Sequence, residues 1–337
     1  APPAGACGAS AVWWPAGPAR DVARLRATSR AGAPNIRTVY LTRGGGVSAP
    51  TAAATVLSNR YADTRDKAVL LVSALRSVGI ESYPAAVKGP RSAFVREVPT
   101  LKQFDRLLVA LPEASGYRFL DPMLDDVAYG FLRWGRGNTA LVVKDDGSGE
   151  LVEIPPFSPE ENTWLGTMSV DIDADGAAVV EAGCELTGYF DRKARRALKD
   201  ATPSEKKKIF EATANRVSAG ATNISSEHSD LSDLSAPVTA SQKIDAPDLA
   251  IAQGDMMIVR IPSFPFGFAS LGVRPTLAER RYAIEIPCEA AASFAVDLGI
   301  PDGYEVVRMP DPLALAGAAA DFEVACVWNE EARTISW

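Results

Sequence analysis

The stretch that decides the fold reads Arg60-Tyr61-Ala62-Asp63-Thr64-Arg65-Asp66-Lys67-Ala68-Val69-Leu70-Leu71. It opens the clearest helical pattern of the chain, over residues 65–78, and Gly79 follows as a helix-stop signal. Apolar side chains recur at helical spacing in this pattern, at Ala68, Leu71, Val72, Leu75 and Val78. This periodicity predicts a helix with one buried face.

Helices and short apolar segments surround this pattern. Further helices are predicted over residues 20–30 and 48–60, with Gly44-Gly45-Gly46 as a turn between them. Four segments separated by Pro, Gly and Asp then predict strands of an antiparallel sheet, at 80–87, 106–112, 117–120 and 138–143. The first half of the chain is therefore predicted to be α+β.

Length and charge indicate two domains. The chain has 337 residues, enough for two ordinary cores. Residues 1–160 carry 19 Lys and Arg against 15 Asp and Glu, a net +4, whereas residues 161–337 carry 16 against 27, a net −11. The overall charge of −7 argues against a nucleic-acid binder, which needs a basic surface.

The second half follows a proline-rich hinge, Pro155-Pro156-Phe157-Ser158-Pro159. Residues 167–188 predict a hairpin turning at Asp173–Gly176, and 189–217 predict two helices. Strands are then predicted at 237–245, 255–262, 279–287, 291–297, 304–309, 320–328 and 332–337. This spacing favours an antiparallel β-sandwich with a helical insertion, over residues 159–337.

The opening stretch, followed by Gly79-Ile80 and Tyr83-Pro84-Ala85, resembles the transglutaminase-like superfamily, whose fold is related to the papain-type cysteine proteases. Residues 98–109 and 117–122 resemble the strands that carry the catalytic base and acid of that family. The resemblance implies a transglutaminase-like domain with an N-terminal arm in residues 1–158. It also implies a bacterial envelope type with a trailing β-sandwich.

Carrying the family's roles over by position puts the nucleophile at Thr64, the base at Arg106 and the orienting acid at Asp121. A thiolate at a helix start is stabilised by the backbone N–H groups, and a neighbouring His takes its proton. Threonine and a permanently protonated arginine cannot do this chemistry. The triad is therefore predicted to be degenerate.

Structural explanations exist for the same three residues. Thr64 is a favoured N-cap residue type. Arg106 and Asp121 either form an ion pair in place of the His–Asp pair, or Arg106 points to solvent at the strand start.

Other chemistry-bearing residues are few. His228 is the one histidine of the chain, and its acidic neighbours predict an exposed loop position. The cysteines Cys7, Cys184, Cys288 and Cys326 form no CxxC pair, so neither a metal site nor any cofactor is predicted. At most one disulfide can form among the last three, and buried free thiols are the commoner outcome.

These observations predict a catalytically inactive binding or scaffolding module that contacts a protein or peptide partner. The alternative is a hydrolase or acyl-transfer enzyme that uses another nucleophile in the same cleft. A third hypothesis, carbohydrate binding by the sandwich, rests on fold analogy. The resemblance implies export to the periplasm or cell surface, with the signal peptide and an N-terminal β domain absent from this chain. No apolar run is long enough to predict a transmembrane helix.

Two apolar segments have open assignments. Trp13-Trp14 lies in an Ala-, Gly- and Pro-rich arm, which either docks on an apolar surface or is a tail. Residues 262–268 form an aromatic, proline-rich loop that either contacts a ligand or covers the end of the sandwich.

Overall fold

The computed structural model describes residues 36–39, 49–88, 94–98, 100–133, 136–262, 270–271, 281 and 286–337. Several predictions lie outside these ranges: the Trp13-Trp14 arm, the helix over 20–30, the triple glycine, most of the strand over 279–287 and the loop residues 263–268. The described residues form two compact units. Those up to Asp125 and from Tyr129 to Pro155 make the first unit, and Asp126–Ala128 with Pro156–Trp337 make the second.

Two helices dominate the start of the first unit. Helix α1 covers Ala53–Asn59 and helix α2 covers Thr64–Ser77. Between them, β2 (Tyr61–Ala62) pairs in parallel with β1 (Arg37–Thr38). Helix α2 stops where predicted, because Gly79 adopts the left-handed conformation at φ 81° that favours glycine.

A five-stranded antiparallel sheet, in the order β5-β4-β3-β6-β7, supports helix α2. The buried face of α2 packs on this sheet through Leu71, Val72 and Leu75, which contact the cluster formed by Val109, Leu111 and Leu120. The strands are β3 (Tyr83–Val87), β4 (Arg106–Glu113), β5 (Gly116–Leu120), β6 (Thr139–Val143) and β7 (Gly149–Glu153), and a 3-10 turn at Leu101–Gln103 precedes β4. The first unit is thus α+β, as predicted, with β7 as an additional strand.

The second unit is built on one seven-stranded sheet, ordered β10-β11-β9-β8-β14-β18-β17. Its strands are β8 (Thr163–Ile172), β9 (Ala178–Leu186), β10 (Thr222–His228), β11 (Val238–Ala246), β14 (Ala291–Gly299), β17 (Val327–Asn329) and β18 (Thr334–Ser336). Strand β14 runs parallel to β8, whereas the other neighbours are antiparallel. Two separate hairpins pair β12 (Ala250–Gln253) with β13 (Met256–Val259), and β15 (Leu313–Ala316) with β16 (Asp321–Val324).

Helices, and not a second large sheet, cover this sheet. Helix α3 (Gly188–Leu198) and helix α4 (Pro203–Val217) follow the β8–β9 hairpin, after a 3-10 turn at Pro159–Glu161 has led into β8. Ala214 and Val217 of α4 join the core formed by Val170, Val180 and Ile244. Among the described residues, the predicted antiparallel β-sandwich is therefore wrong: the sheet is mixed, and the predicted helical insertion supplies its second layer.

Two local predictions in the second unit have different outcomes. The turn at Asp173–Gly176 closes the β8–β9 hairpin, and Asp173 Oδ1 accepts hydrogen bonds from the backbone N–H groups of Asp175 and Ala177. The strand predicted over 304–309 does not form, and Val307 is 95% exposed there. Alternating apolar residues favour a strand only where a partner strand completes the ladder.

A buried ion pair on helix α3 anchors the loop between β10 and β11 through hydrogen bonds. Asp191 and Arg195, one turn apart on α3, are 4% and 1% exposed. Arg195 donates two hydrogen bonds to Asp191 and one each to the carbonyls of Leu231 and Ala236. Asp191 also accepts from the backbone N–H of Val238, so both charges are satisfied without solvent.

No helix in the described ranges is both long and apolar enough to cross a bilayer.

Candidate functional site

Asp63 caps the start of helix α2. The prediction of Thr64 as the N-cap is therefore wrong. Asp63 Oδ1 accepts hydrogen bonds from the backbone N–H groups of Arg65 at 2.8 Å and Asp66 at 2.9 Å. Its other oxygen pairs with the guanidinium of Arg65 at 2.6 Å. Burial alone would raise the pKa of Asp63, but these hydrogen bonds and the Arg65 charge outweigh it and hold the pKa below its usual value.

Thr64 is consequently the first residue of the helix, at the position that the resemblance gives to the nucleophile. Its side chain is half-buried, and among the described residues its hydroxyl makes no hydrogen bond. The carboxylate of Asp63 already occupies the amide groups of residues 65 and 66. Those amides are therefore not available to bind a negatively charged reaction intermediate.

Lys67 lies one turn along the same helix and was not predicted to have a role. It is only 9% exposed, and within the described part of the chain its ammonium forms no hydrogen bond and no ion pair within 4 Å. Burial lowers the pKa of Lys67, while the carboxylates of Asp125 and Asp121 act against this shift. A buried lysine with a lowered pKa is a candidate acid or base.

Asp121 follows directly after β5, and its Oδ1 accepts a hydrogen bond from the N–H of Met123 at 2.9 Å. This bond fixes the turn at Leu120-Asp121-Pro122. Leu120, the residue before Asp121, packs with Ala68 and Leu71 of α2 in one buried cluster, and the Asp121 charge acts against the lowering of the pKa of Lys67. Thr64 and Asp121 therefore belong to one region of the first unit.

Arg106 is the first residue of β4, half-buried and opposite Val87 of β3. The register pairs Val109 with Leu120, so Asp121 comes level with Leu108, two residues along the strand from Arg106. That separation is about 7 Å, within the reach of an arginine side chain. The Arg106–Asp121 ion pair stays a prediction.

His228 and the three cysteines in the described part of the chain form no hydrogen-bonded thiol–imidazole pair. His228 is the half-buried last residue of β10, and not an exposed loop residue as predicted. Its Nδ1 lies 2.9 Å from the carbonyl of Ser229 and must donate to it, while Nε2 lies 3.1 Å from Nζ of Lys206 and accepts from it.

The three described cysteines, Cys184, Cys288 and Cys326, are free thiols. Burial raises the pKa of each, to about 11 for Cys288, which is the opposite of what an active thiolate needs. No cluster of metal ligands occurs in the described ranges.

The second unit carries an open groove of about 630 Å³ across strands β8 to β11. Gly183 of β9 leaves its floor without a side chain, between Thr167 and Ser241 on the neighbouring strands. The carboxylates of Glu185 and Glu227 line its sides. The lining of the groove is more apolar than polar, and Cys184 and His228 also belong to it.

Comparison with known proteins gives one result about the fold. No protein-family model matches the chain, and no curated protein matches it either. A solved structure of a "putative protease" from Parabacteroides distasonis is similar, with a TM-score of 0.52 and 14% identity, and the match covers 94% of this chain. The chain spans 44% of that protein's length. At this identity the likeness shows a shared α+β fold and does not indicate the activity of this chain.

Proposed function

We propose that this chain is a transglutaminase-like protein without thiol catalysis, which acts as a binding or scaffolding module at the bacterial cell envelope. The observation that carries the proposal is the start of helix α2. A threonine stands at the position of the nucleophile, and the buried Asp63 occupies the amides that would stabilise a thiolate or an oxyanion. The distant structural likeness supports the fold to which this position belongs.

The remaining members of the triad support the same proposal. Arg106 stays protonated and cannot accept a proton from a hydroxyl. Asp121 accepts the hydrogen bond that fixes its own turn, and its charge acts against the lowering of the pKa of Lys67, so it has a structural role without an imidazole to orient. The partner is expected to be a protein or peptide, and the groove over Gly183 is a second surface for it.

Turnover assays test the proposal. The whole chain is incubated with a glutamine donor plus an amine, and separately with casein. Wild type and Thr64→Ala should both show the background rate. Turnover by wild type that Thr64→Ala abolishes would overturn the proposal.

A second candidate function, acyl transfer or hydrolysis by another nucleophile in the same cleft, is favoured by one observation. Lys67 supplies a buried amine with a lowered pKa one helical turn after the free hydroxyl of Thr64. An amine can replace histidine as the base for a hydroxyl nucleophile.

A further inference from the structure

We propose that Thr64 and Lys67 form a hydroxyl–amine pair through which Thr64 accepts an acyl group from an activated ester. The inference rests on the second candidate function and names its residues. A covalent acyl adduct needs no turnover, so it is also compatible with a binding module.

Helical spacing places the two side chains on one face of α2. Residues three apart in a helix lie on one face, with about 5–6 Å between their Cβ atoms. Helical side chains also lean toward the N-terminus, so a rotamer of Lys67 can bring its Nζ toward Thr64. Both residues belong to the described first turn and a half of α2.

Neither functional group is committed to another partner. In the described part of the chain, the Thr64 hydroxyl makes no hydrogen bond and the Lys67 ammonium makes neither a hydrogen bond nor an ion pair. The Nζ atom of Lys67 keeps some contact with solvent. A side chain 91% buried with an unpaired, reachable amine needs a reason beyond stability, because an unpaired buried charge is costly.

Two carboxylates control the charge on the amine. Asp121 and Asp125 favour the ammonium form, whereas burial favours the neutral form and prevails. The neutral amine is the form that takes a proton from a hydroxyl. At neutral pH a larger fraction of Lys67 is in this form than of an exposed lysine.

The acylation step balances as follows. The oxygen of Thr64 bonds to the carbonyl carbon of the ester as its O–H proton passes to Nζ of Lys67. The intermediate collapses with departure of the alcohol or phenolate, which takes the bonding electron pair, and the proton of Lys67 passes to the leaving group or to solvent. Because Asp63 occupies the first amides of the helix, the step lacks an oxyanion site and should be slow.

The test uses p-nitrophenyl acetate with the whole chain and peptide mapping by mass spectrometry. Hydroxylamine at alkaline pH removes an O-acetyl group from threonine and leaves N-acetyl-lysine, so the two adducts are distinguished. We expect an O-acetyl group on Thr64 in wild type and in Thr64→Ser. Thr202 is an internal control, since it also stands at a helix start but is followed three residues later by Glu205.

Substitutions of Lys67 separate catalysis from folding. Lys67→Met should lower the rate of Thr64 acetylation about 100-fold, the lower end of what a positioned base contributes. Lys67→Arg keeps a cation but removes the base, so it should lower the rate of Thr64 acetylation as strongly. This variant provides the test if Lys67→Met does not fold. The inference is overturned if Thr64 acquires no O-acetyl group, if Thr202 acquires as much, or if Lys67→Arg reacts like wild type. These outcomes do not affect the proposed function, which is overturned only if the glutamine or casein assay shows turnover that Thr64→Ala abolishes.

Discussion

The buried Asp191–Arg195 pair provides the strongest prediction about the stability of the second unit. We consider Arg195→Met, which keeps most of the volume and removes the guanidinium. The substitution deletes both bonds to Asp191 and both bonds to the carbonyls of Leu231 and Ala236. It leaves a carboxylate that is 4% exposed with one donor, the N–H of Val238.

The expected loss follows from this count. Removing one member of a buried ion pair typically costs about 3–5 kcal/mol, because the other charge stays buried without a partner. Arg195→Met should therefore lower the free energy of unfolding of the second unit by about 3–5 kcal/mol. The double variant Asp191→Asn/Arg195→Met should lose less than the sum of the two single variants, because it leaves no buried charge.

The measurement is urea unfolding followed by hydrogen exchange in β10 and β11, which reports on this unit separately. The ion pair of Lys243 and Glu181 is a matched control. Its N–O distance of 2.9 Å is close to the 2.7 Å of the Asp191–Arg195 pair, but its side chains are 45% and 66% exposed. Lys243→Met should cost less than about 1 kcal/mol. A loss below about 1 kcal/mol for Arg195→Met, or strict additivity in the double variant, would refute the reasoning.

Three further predictions concern backbone positions and the cap of helix α2. Gly188→Ala should destabilise the second unit strongly, since φ is 53° and an added methyl would overlap the carbonyl of Glu161. Gly220→Ala, at φ 81° with open space around it, should cost only about 1–2 kcal/mol. Thermal unfolding compares the two variants, and equal losses of stability would contradict this prediction. Asp63→Ala should cost more than about 1 kcal/mol and Thr64→Ala much less, and the reverse order in urea unfolding would show that Thr64 is the cap. The pKa of Asp63 is lower in the folded chain than in the unfolded one, so its contribution is present above about pH 4 and is lost as the pH falls through the folded pKa. The stability difference between wild type and Asp63→Ala should shrink accordingly on acidification, and a difference that grows would contradict the sign.

Periodicity predicted the first unit well, because its elements are bounded by local signals. The apolar stripe of α2 and the glycine after it fix that helix to within one residue of its observed ends. Strand β7 was missed because Gly149–Glu153 is exposed and lacks an apolar pattern, and it is stabilised as a strand by its pairing with β6. Whether Asp63 or Thr64 caps the helix could not be predicted, since both residue types are good caps and only the hydrogen bonds distinguish them.

The second unit shows the limit of local patterns. Alternation predicted most of its strands, but alternation does not say which strands pair. The parallel pairing of β14 with β8 and the packing of α4 on β11 join segments that are far apart in sequence. Lys67 was missed for a related reason: its burial depends on the packing of α2 against the sheet, and the charges that act on its pKa, Asp121 and Asp125, come from another part of the chain.

The pKa of Lys67 tests most directly whether Asp121 lies beside the start of helix α2. It can be measured by NMR titration of the Lys67 side chain in wild type and in Asp121→Asn. Burial should hold the pKa below the ordinary 10.5 in wild type, and removal of the Asp121 charge, which favours the ammonium, should lower it further. A wild-type pKa at or above 10.5, or a value unchanged in Asp121→Asn, would contradict the placement of Asp121 beside the start of helix α2.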